Sequence, residues 1–199
     1  QALATSGMEV IAEVKRRSPS RGDLAPDLDP VAQAAHYTAG GAAAISVLTE
    51  PEFFAGSNAD LTAVALATGA PVLREDFVVH PVQVWQARSL GAAAVLLIVA
   101  ALDDAELANL IGVAADAGVE PLVEVHTAEE AERAMAAGSR IVGVNNRDLN
   151  DFSVDLGTAE KIAPIISDAT VTIAESGIFT GEDSRRMAEA GYDAVLVGE

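Results

Sequence analysis

AVLLIVAALDDAELANLIGVAADAGVEPLVEVH, residues 94–126, sets two kinds of apolar spacing side by side. The runs AVLLIVA (94–100) and EPLVEV (120–125) are short, and the first is apolar without alternation, which suits strands buried on both faces. Between them, DDAELANLIGVAADAG (103–118) carries its apolar residues at helical spacing. It closes on Gly118, and glycine is favoured beyond a helix C-terminus because it tolerates φ > 0. A strand, a helix and a second strand in this order imply parallel pairing through a helical crossover.

The same unit recurs in both directions. Strand-like runs are VIAEVK (10–15), AAISVLTE (43–50), PVLRED (71–76), IVGVNN (141–146), TVTIAES (170–176) and AVLVGE (194–199). Helical spacing marks 30–41, 80–91, 127–138 and 181–191, and HTAEEAER (126–133) carries a capping-box pattern with Thr127 at the N-cap and Glu130 three residues on. Eight strand candidates separated by seven helix candidates predict an α/β fold, a (β/α)8 TIM barrel, with a doubly wound open sheet as the alternative. No interdomain linker is evident, so one barrel domain is expected over 1–199. The chain stops at VLVGE with no eighth helix, so the last helix is expected to be missing. The longer irregular stretches, 16–30 and 50–57, follow strands and fit active-site loops.

Composition narrows the function. There are 199 residues, no cysteine and a formal charge of −18 from 30 acidic and 12 basic side chains. Disulfides and thiolate metal sites are excluded, and no nucleic-acid partner is expected for so acidic a chain. No apolar run reaches the roughly 18 residues of a membrane span, and the opening QALATSGMEV lacks the order of a signal peptide. A cytoplasmic location with no membrane partner is expected.

In a barrel, reactive groups project from the C-terminal strand ends. Here those ends carry Glu13 and Lys15; Arg74, Glu75 and Asp76; Glu124; Asn145, Asn146 and Arg147; and Glu175 and Ser176. Crowded carboxylates raise one another's pKa and can serve as acids or bases near neutrality. Gly177 and Gly198 follow the seventh and eighth strands, where barrels often bind phosphate through backbone N–H groups. Lys15, Arg16, Arg17 and Arg21 form the one dense basic patch, read either as an anion-holding cluster or as a solvated charge run. His36, His80 and His126 show no metal-ligand spacing, so no metal is expected.

IAEVKRRSPSRG (11–22), ISVLTEPEFFAGS (45–57), PVLREDFVV (71–79), LLIVAAL (96–102), PLVEVHTAEE (121–130), GVNNRDL (143–149) and IAESGI (173–178) together resemble indole-3-glycerol-phosphate synthase of tryptophan biosynthesis. The resemblance runs co-linearly from about residue 8 to residue 199, and relative to that family an N-terminal extension and the final helical part are missing. It implies a carboxy-lyase without metal or cofactor. The implied reaction is ring closure, decarboxylation and dehydration of 1-(2-carboxyphenylamino)-1-deoxyribulose 5-phosphate. Motif matching implies Glu124 as an acid/base, Glu13 and Asn145 as groups that orient the substrate hydroxyl, and Lys15 as a holder of anionic groups that supports catalysis. It implies that Glu175, Ser176 and Ser18 contact substrate, that Arg147 holds an anionic group, and that Lys15, Gly177 and Gly198 cradle phosphate. Phe54 and Phe77 either pack around the anthranilate ring or belong to the core.

One position departs. The family usually reads LRKDF where this chain has LREDF, so Glu75 stands where a principal general-acid lysine is expected. Either a protonated Glu75 serves as a weaker acid, or the chain is a weakly active or inactive variant that binds the phosphorylated ligand, or the substrate differs. A phosphate-binding module without turnover and a sugar-phosphate isomerase on the same barrel are the competing functional classes.

Overall fold

The computed structural model describes residue 3, residues 7–148 and residues 151–198. Most of the opening segment, residue 149 of the sixth-strand motif and residue 199 lie outside the described residues. The order is β1 (Glu9–Val14), α1 (Pro30–Ala39), β2 (Ala44–Leu48), α2 (Asn58–Ala67), β3 (Val72–Glu75), α3 (Pro81–Ser89), β4 (Ala94–Ile98), α4 (Asp104–Ala117), β5 (Glu120–Val125), α5 (Ala128–Ala136), β6 (Ile141–Asn145), α6 (Gly157–Ile162), β7 (Val171–Glu175), α7 (Gly181–Glu189) and β8 (Ala194–Val197). Each strand pairs in parallel with its sequence neighbours, and β1 pairs with both β2 and β8. That last pairing closes the sheet and rules out the open doubly wound alternative.

The opening stretch behaves as its spacing dictates. Asp103 caps α4 by accepting from the Glu106 N–H at 2.8 Å, and the Glu106 carboxylate accepts from the Asp103 N–H at 2.9 Å. Gly118 ends the helix at φ 69°, a left-handed conformation that costs glycine little.

Strand side chains alternate between two cores, which explains why the runs are apolar without alternation. Ala12, Val14, Ile45, Val47, Val72, Val95, Leu97, Val123, Val125, Val142 and Val144 point outward and pack beneath the helices. Ile11, Ala44, Leu73, Leu96, Leu122, Ile173 and Leu196 fill the barrel itself. Since the period is two, the residue two places after an interior apolar side chain also faces inward, nearer the C-terminal mouth.

Two local features differ from the sequence reading. The 16–30 loop contains a two-stranded antiparallel ribbon, Arg17–Ser18 with Gly22–Asp23. Thr127 caps α5 through its hydroxyl (3.1 Å from the Glu130 N), but Glu130 does not return the bond to Thr127. Its carboxylate instead accepts from the His126 N–H at 2.7 Å, one residue further back, where the His126 ring also lies. Among the described residues no helix is long and apolar enough to cross a membrane.

Candidate active site

Strand parity builds the site. On β1, Ile11 lies in the barrel interior, so Glu13 and Lys15 follow it toward the mouth. Leu73 is followed by Glu75 on β3, Leu122 by Glu124 on β5, Ile173 by Glu175 on β7 and Leu196 by Gly198 at the end of β8. On β6 the same parity gives Gly143 and then Asn145. The closed register places Glu13 level with Ser46, Asn145 level with Glu175, and Glu124 level with Gly143. These groups surround one cavity of about 430 Å³ whose upper wall is largely apolar, within the size range of small-ligand sites.

Twelve of the thirteen residues expected at the site line this cavity: Glu13, Lys15, Ser18, Phe54, Glu75, Phe77, Glu124, Asn145, Arg147, Ser176, Gly177 and Gly198. Glu175 is the exception. It is buried, its Oε1 has no hydrogen-bond partner, and it lies close enough to Glu124 for the two carboxyl groups to act on each other. Two glycines make room for such close packing. A Cβ on Gly143 would stand 1.8 Å from Glu175 Oε1, and a Cβ on Gly198 would stand 1.8 Å from Glu13 Oε2. Gly198 was expected at a phosphate cradle; its evident steric task is to admit the Glu13 carboxylate.

The three consecutive charges at the end of β3 separate by parity. Glu75 points inward, and its Oε2 accepts from the Ser46 hydroxyl at 2.5 Å. Arg74 points outward and is buried, donating to the Gln83 carbonyl (2.9 Å), Thr49 Oγ1 (3.1 Å) and Asp76 Oδ2 (2.9 Å). Arg74 and Asp76 therefore brace the β3–α3 turn. Asn146, beside Asn145, ties the end of β6 to the end of β7 and to α6. Its amide donates to the Glu175 and Ser176 carbonyls, while its oxygen accepts from the Ala159 N–H at 3.0 Å.

The basic patch is not a cluster. Arg16 pairs with Asp60 at 2.6 Å and Arg17 with Asp23 at 2.6 Å, while Lys15 turns into the barrel and pairs with Glu13. Of the four cations only Lys15 reaches the cavity wall, and Arg147 adds a second positive group from β6. Alternation explains this outcome, because neighbouring residues leaving β1 face different ways.

Electrostatics divide the carboxyl groups. Part of Glu75 opens onto the cavity, but it sits deep in the mouth, and burial is the main cause that pushes its pKa well up. Glu13 and Glu124 add to the rise; Lys15 and the Ser46 hydroxyl oppose it. Burial likewise raises Glu175, reinforced first by Glu124 and then by Glu75 and Glu13. Both therefore hold their proton to higher pH than an ordinary carboxyl group does. Among the described residues no three His, Asp or Glu side chains are arranged to hold a metal ion.

The aromatic wall is larger than the motifs suggested. Phe77 is 44% exposed and Phe53 50% exposed, so neither belongs to the core. The Phe77 ring lies 6.1 Å from Phe54 and 6.5 Å from Phe53, edge-on to the latter. Phe53, Phe152, Phe179 and Leu48 also line the cavity and were not singled out in the sequence, and neither was Ser46. Ser46 and Leu48 were findable by counting in steps of two from Ala44. Ser176 has φ 60° and Gly177 φ 79°. A non-glycine residue held there costs of order 1 kcal/mol, and such strain gathers at functional turns.

Acid groups, one lysine and an aromatic wall around a single cavity at the C-terminal mouth define a (β/α)8-barrel enzyme suited to acid–base chemistry on a small, partly aromatic anion. Solved structures agree on the fold. An N-acetylmannosamine-6-phosphate 2-epimerase from Clostridium perfringens superposes with a TM-score of 0.74 at 16% identity, covering 100% of this chain and 89% of that one. A mandelate oxidase superposes at 0.70 with 17% identity, covering 96% and 64%. Sequence comparison is more specific. The family model of indole-3-glycerol phosphate synthase matches residues 1–199. The Streptomyces griseus indole-3-glycerol phosphate synthase is 54% identical over 198 residues, covering 100% of this chain and 74% of the relative. The enzymes of that name from Kineococcus radiotolerans and Chlorobium chlorochromatii are 55% and 48% identical, covering 97% and 98% of this chain and 70% and 76% of the relatives. The chain belongs to the indole-3-glycerol phosphate synthase family.

Proposed function

We propose that this cavity carries out the reaction for which the family is named. It would close the pyrrole ring of 1-(2-carboxyphenylamino)-1-deoxyribulose 5-phosphate with loss of carbon dioxide and water, forming indole-3-glycerol phosphate for tryptophan biosynthesis. The observation that carries the reading is the convergence of Glu13, Lys15, Glu75, Glu124 and Asn145 on one floor beneath an aromatic wall.

Attack of the carboxylate-bearing ring carbon on the ketone develops charge on the carbonyl oxygen, which needs a proton donor. Glu75, whose burial favours the protonated form, supplies it. Its Oε2 is engaged by the Ser46 hydroxyl, which leaves Oε1 to reach the substrate oxygen. Loss of carbon dioxide restores aromaticity without protein acid–base help. Dehydration then needs an acid at the departing hydroxyl and a base at the adjacent carbon. Glu124 would do this work, with Glu175, whose burial favours the protonated form, beside it as proton partner. Glu13 and Asn145 orient the hydroxyl. The Asn145 oxygen already accepts from the Arg147 N–H at 3.0 Å, so its amide N–H groups are what it offers a ligand. Lys15 and Arg147 balance the substrate's anionic groups, with Ser18, Ser176, Gly177 and Gly198 around the phosphate and chain. Phe54 and Phe77 hold the anthranilate ring. The biosynthetic setting makes the cytoplasm the expected location.

The test is indole fluorescence on mixing the protein with the substrate. Appearance of the product signal, and its loss in Glu124→Gln, supports the reading. Tight binding without any signal would favour a ligand-binding variant.

A further inference from the structure

His126 has no part in the chemistry above, yet it lies directly against it. We propose that His126 is a positioning residue, an imidazolium clamped between Glu124 and Glu130 that fixes the strand-five carboxylate for its acid–base work. The proposal rests on the role given to Glu124.

The geometry is two-sided. His126 Nε2 lies 3.2 Å from Glu124 Oε1, and Nδ1 lies 3.2 Å from Glu130 Oε2. The ring's side chain is only 10% exposed and those of the two carboxylates 8% and 16%. A neutral imidazole offers one donor and one lone pair, so either tautomer turns a lone pair toward one of these carboxylates. Only the doubly protonated ring suits both. The Nε2 approach to Glu124 is close but not aligned as a hydrogen bond, so charge rather than a directed donor holds that side.

Glu130 is built to support the ring. It sits in the first turn of α5, where the helix dipole favours a carboxylate. Its Oε2 also accepts from the backbone N–H of His126 at 2.7 Å. This is the bond that displaced the expected return to Thr127, and it ties carboxylate, ring and strand end into one unit. Arg133, on the same helix, also acts on Glu130.

Glu124 is thereby held from two directions. The Glu175 carboxyl group acts on it from β7, and His126 faces it from the end of β5 at 3.2 Å. Glu75 from β3, with Glu13 and Lys15 from β1, completes the set of charged or titratable neighbours on the floor. Without the imidazolium, Glu124 would be free to turn toward Glu175 and away from substrate. Burial alone would favour the neutral ring, but Glu124 and Glu130 outweigh it and push the His126 pKa up to about 9, so the clamp is charged through the neutral range.

The test uses the full chain and two readouts. By NMR, the ring resonance absent from His126→Gln should stay protonated through pH 8, and its midpoint should fall by at least one unit in Glu130→Gln. In the fluorescence assay, His126→Gln should lose about 10–100-fold in kcat, since misplacing a reactive group by about 1 Å can cost about 100-fold. KM should change less than about threefold, and Glu130→Gln should show a smaller loss of the same kind. Should His126→Gln fail to fold, Glu130→Gln alone carries both readouts. A wild-type ring titrating at its ordinary value, or unchanged kcat in the variants, overturns the proposal. Should Glu124→Gln abolish turnover while His126→Gln does not, only the positioning role falls. Should Glu124→Gln leave turnover intact, the role assigned to Glu124 itself fails.

Discussion

Replacing Glu75 separates proton delivery from every other property of the site. Glu75→Gln keeps the side-chain length, the charge of the protonated form and an acceptor for the Ser46 hydroxyl, which lies 2.5 Å from Oε2. It removes only the transferable proton. A positioned general acid is worth about 10²–10⁴ in rate. The lower end is apt here, since a carboxyl that shares Ser46 with the floor is less free to reach the substrate oxygen. The expected loss is about 10²-fold in kcat, or about 2.7 kcal/mol, with KM changed less than threefold. In wild type, kcat should fall as pH rises through the raised Glu75 pKa, because the acid form is the active one. That limb should vanish in the glutamine variant.

Glu75→Lys is the reciprocal experiment. A lysine ammonium reaching to about 5 Å from Glu13 and Glu124 would gain about 3 kcal/mol from each at an effective dielectric constant of 20. That attraction offsets much of its desolvation and keeps it protonated, so it serves as an acid that also attracts the anionic substrate. We expect kcat to rise at least about tenfold in steady-state fluorescence assays. A glutamine variant as fast as wild type, together with a lysine variant no faster, would refute the assignment of Glu75 as proton donor.

Three further outcomes follow from the packing around the floor. In Gly143→Ala the new Cβ would stand 1.8 Å from Glu175 Oε1, so the buried carboxyl must shift; a loss of about 1–3 kcal/mol is expected in urea unfolding, largely recovered when Glu175→Ala is added. Asn146→Ala would strand the Ala159 N–H and remove the side-chain donor to the Ser176 carbonyl, while the Glu175 carbonyl keeps the backbone N–H of residue 146, costing about 1–3 kcal/mol by the same measurement. Stability should also fall on the alkaline side. The His126 pKa is raised from 6.5 to about 9, so its contribution is complete below 6.5 and lost as pH rises toward 9. The full shift corresponds to roughly 3 kcal/mol, and about 2 kcal/mol after allowance for solvent screening. Glu75 and Glu175, also raised, act in the same direction from their unfolded values upward, and unfolding free energies at pH 6.5 and 9 in wild type and His126→Gln check the histidine share.

The barrel was legible because its signals are local. Unalternated β-branched runs, helical spacing and glycine punctuation all recur within about 30 residues, and closure follows from their number. The site was legible to the extent that strand parity could be read, as with Glu13 and Lys15, or Leu73 and Glu75. Parity also shows where reading charges as runs fails. Lys15, Arg16 and Arg17 look like one patch in sequence, yet Arg16 and Arg17 leave for Asp60 and Asp23. Contacts between distant strands left no trace in either run. Nothing near Glu130 announces that its carboxylate prefers His126 to Thr127, and nothing near Gly143 says that Glu175 must lie over it.

Parity also changes the meaning of the substitution at residue 75. On a solvated surface, glutamate for lysine moves the charge by two and would repel a phosphorylated carboxylate. On this floor burial raises the pKa of Glu75, and of Glu175 for the same reason, so both resist ionisation. What remains near the substrate is the Glu13–Lys15 pair and Glu124 facing His126, with Arg147 at the rim. The substitution therefore removes one positive charge and adds none of opposite sign while pH stays below the raised Glu75 value. It weakens attraction for the substrate and exchanges a cationic acid for a neutral one, leaving the proton available. Raising the pH would ionise Glu75 and only then make the change a true reversal, so substrate affinity as well as turnover should decline with pH in this chain and hold better in Glu75→Lys.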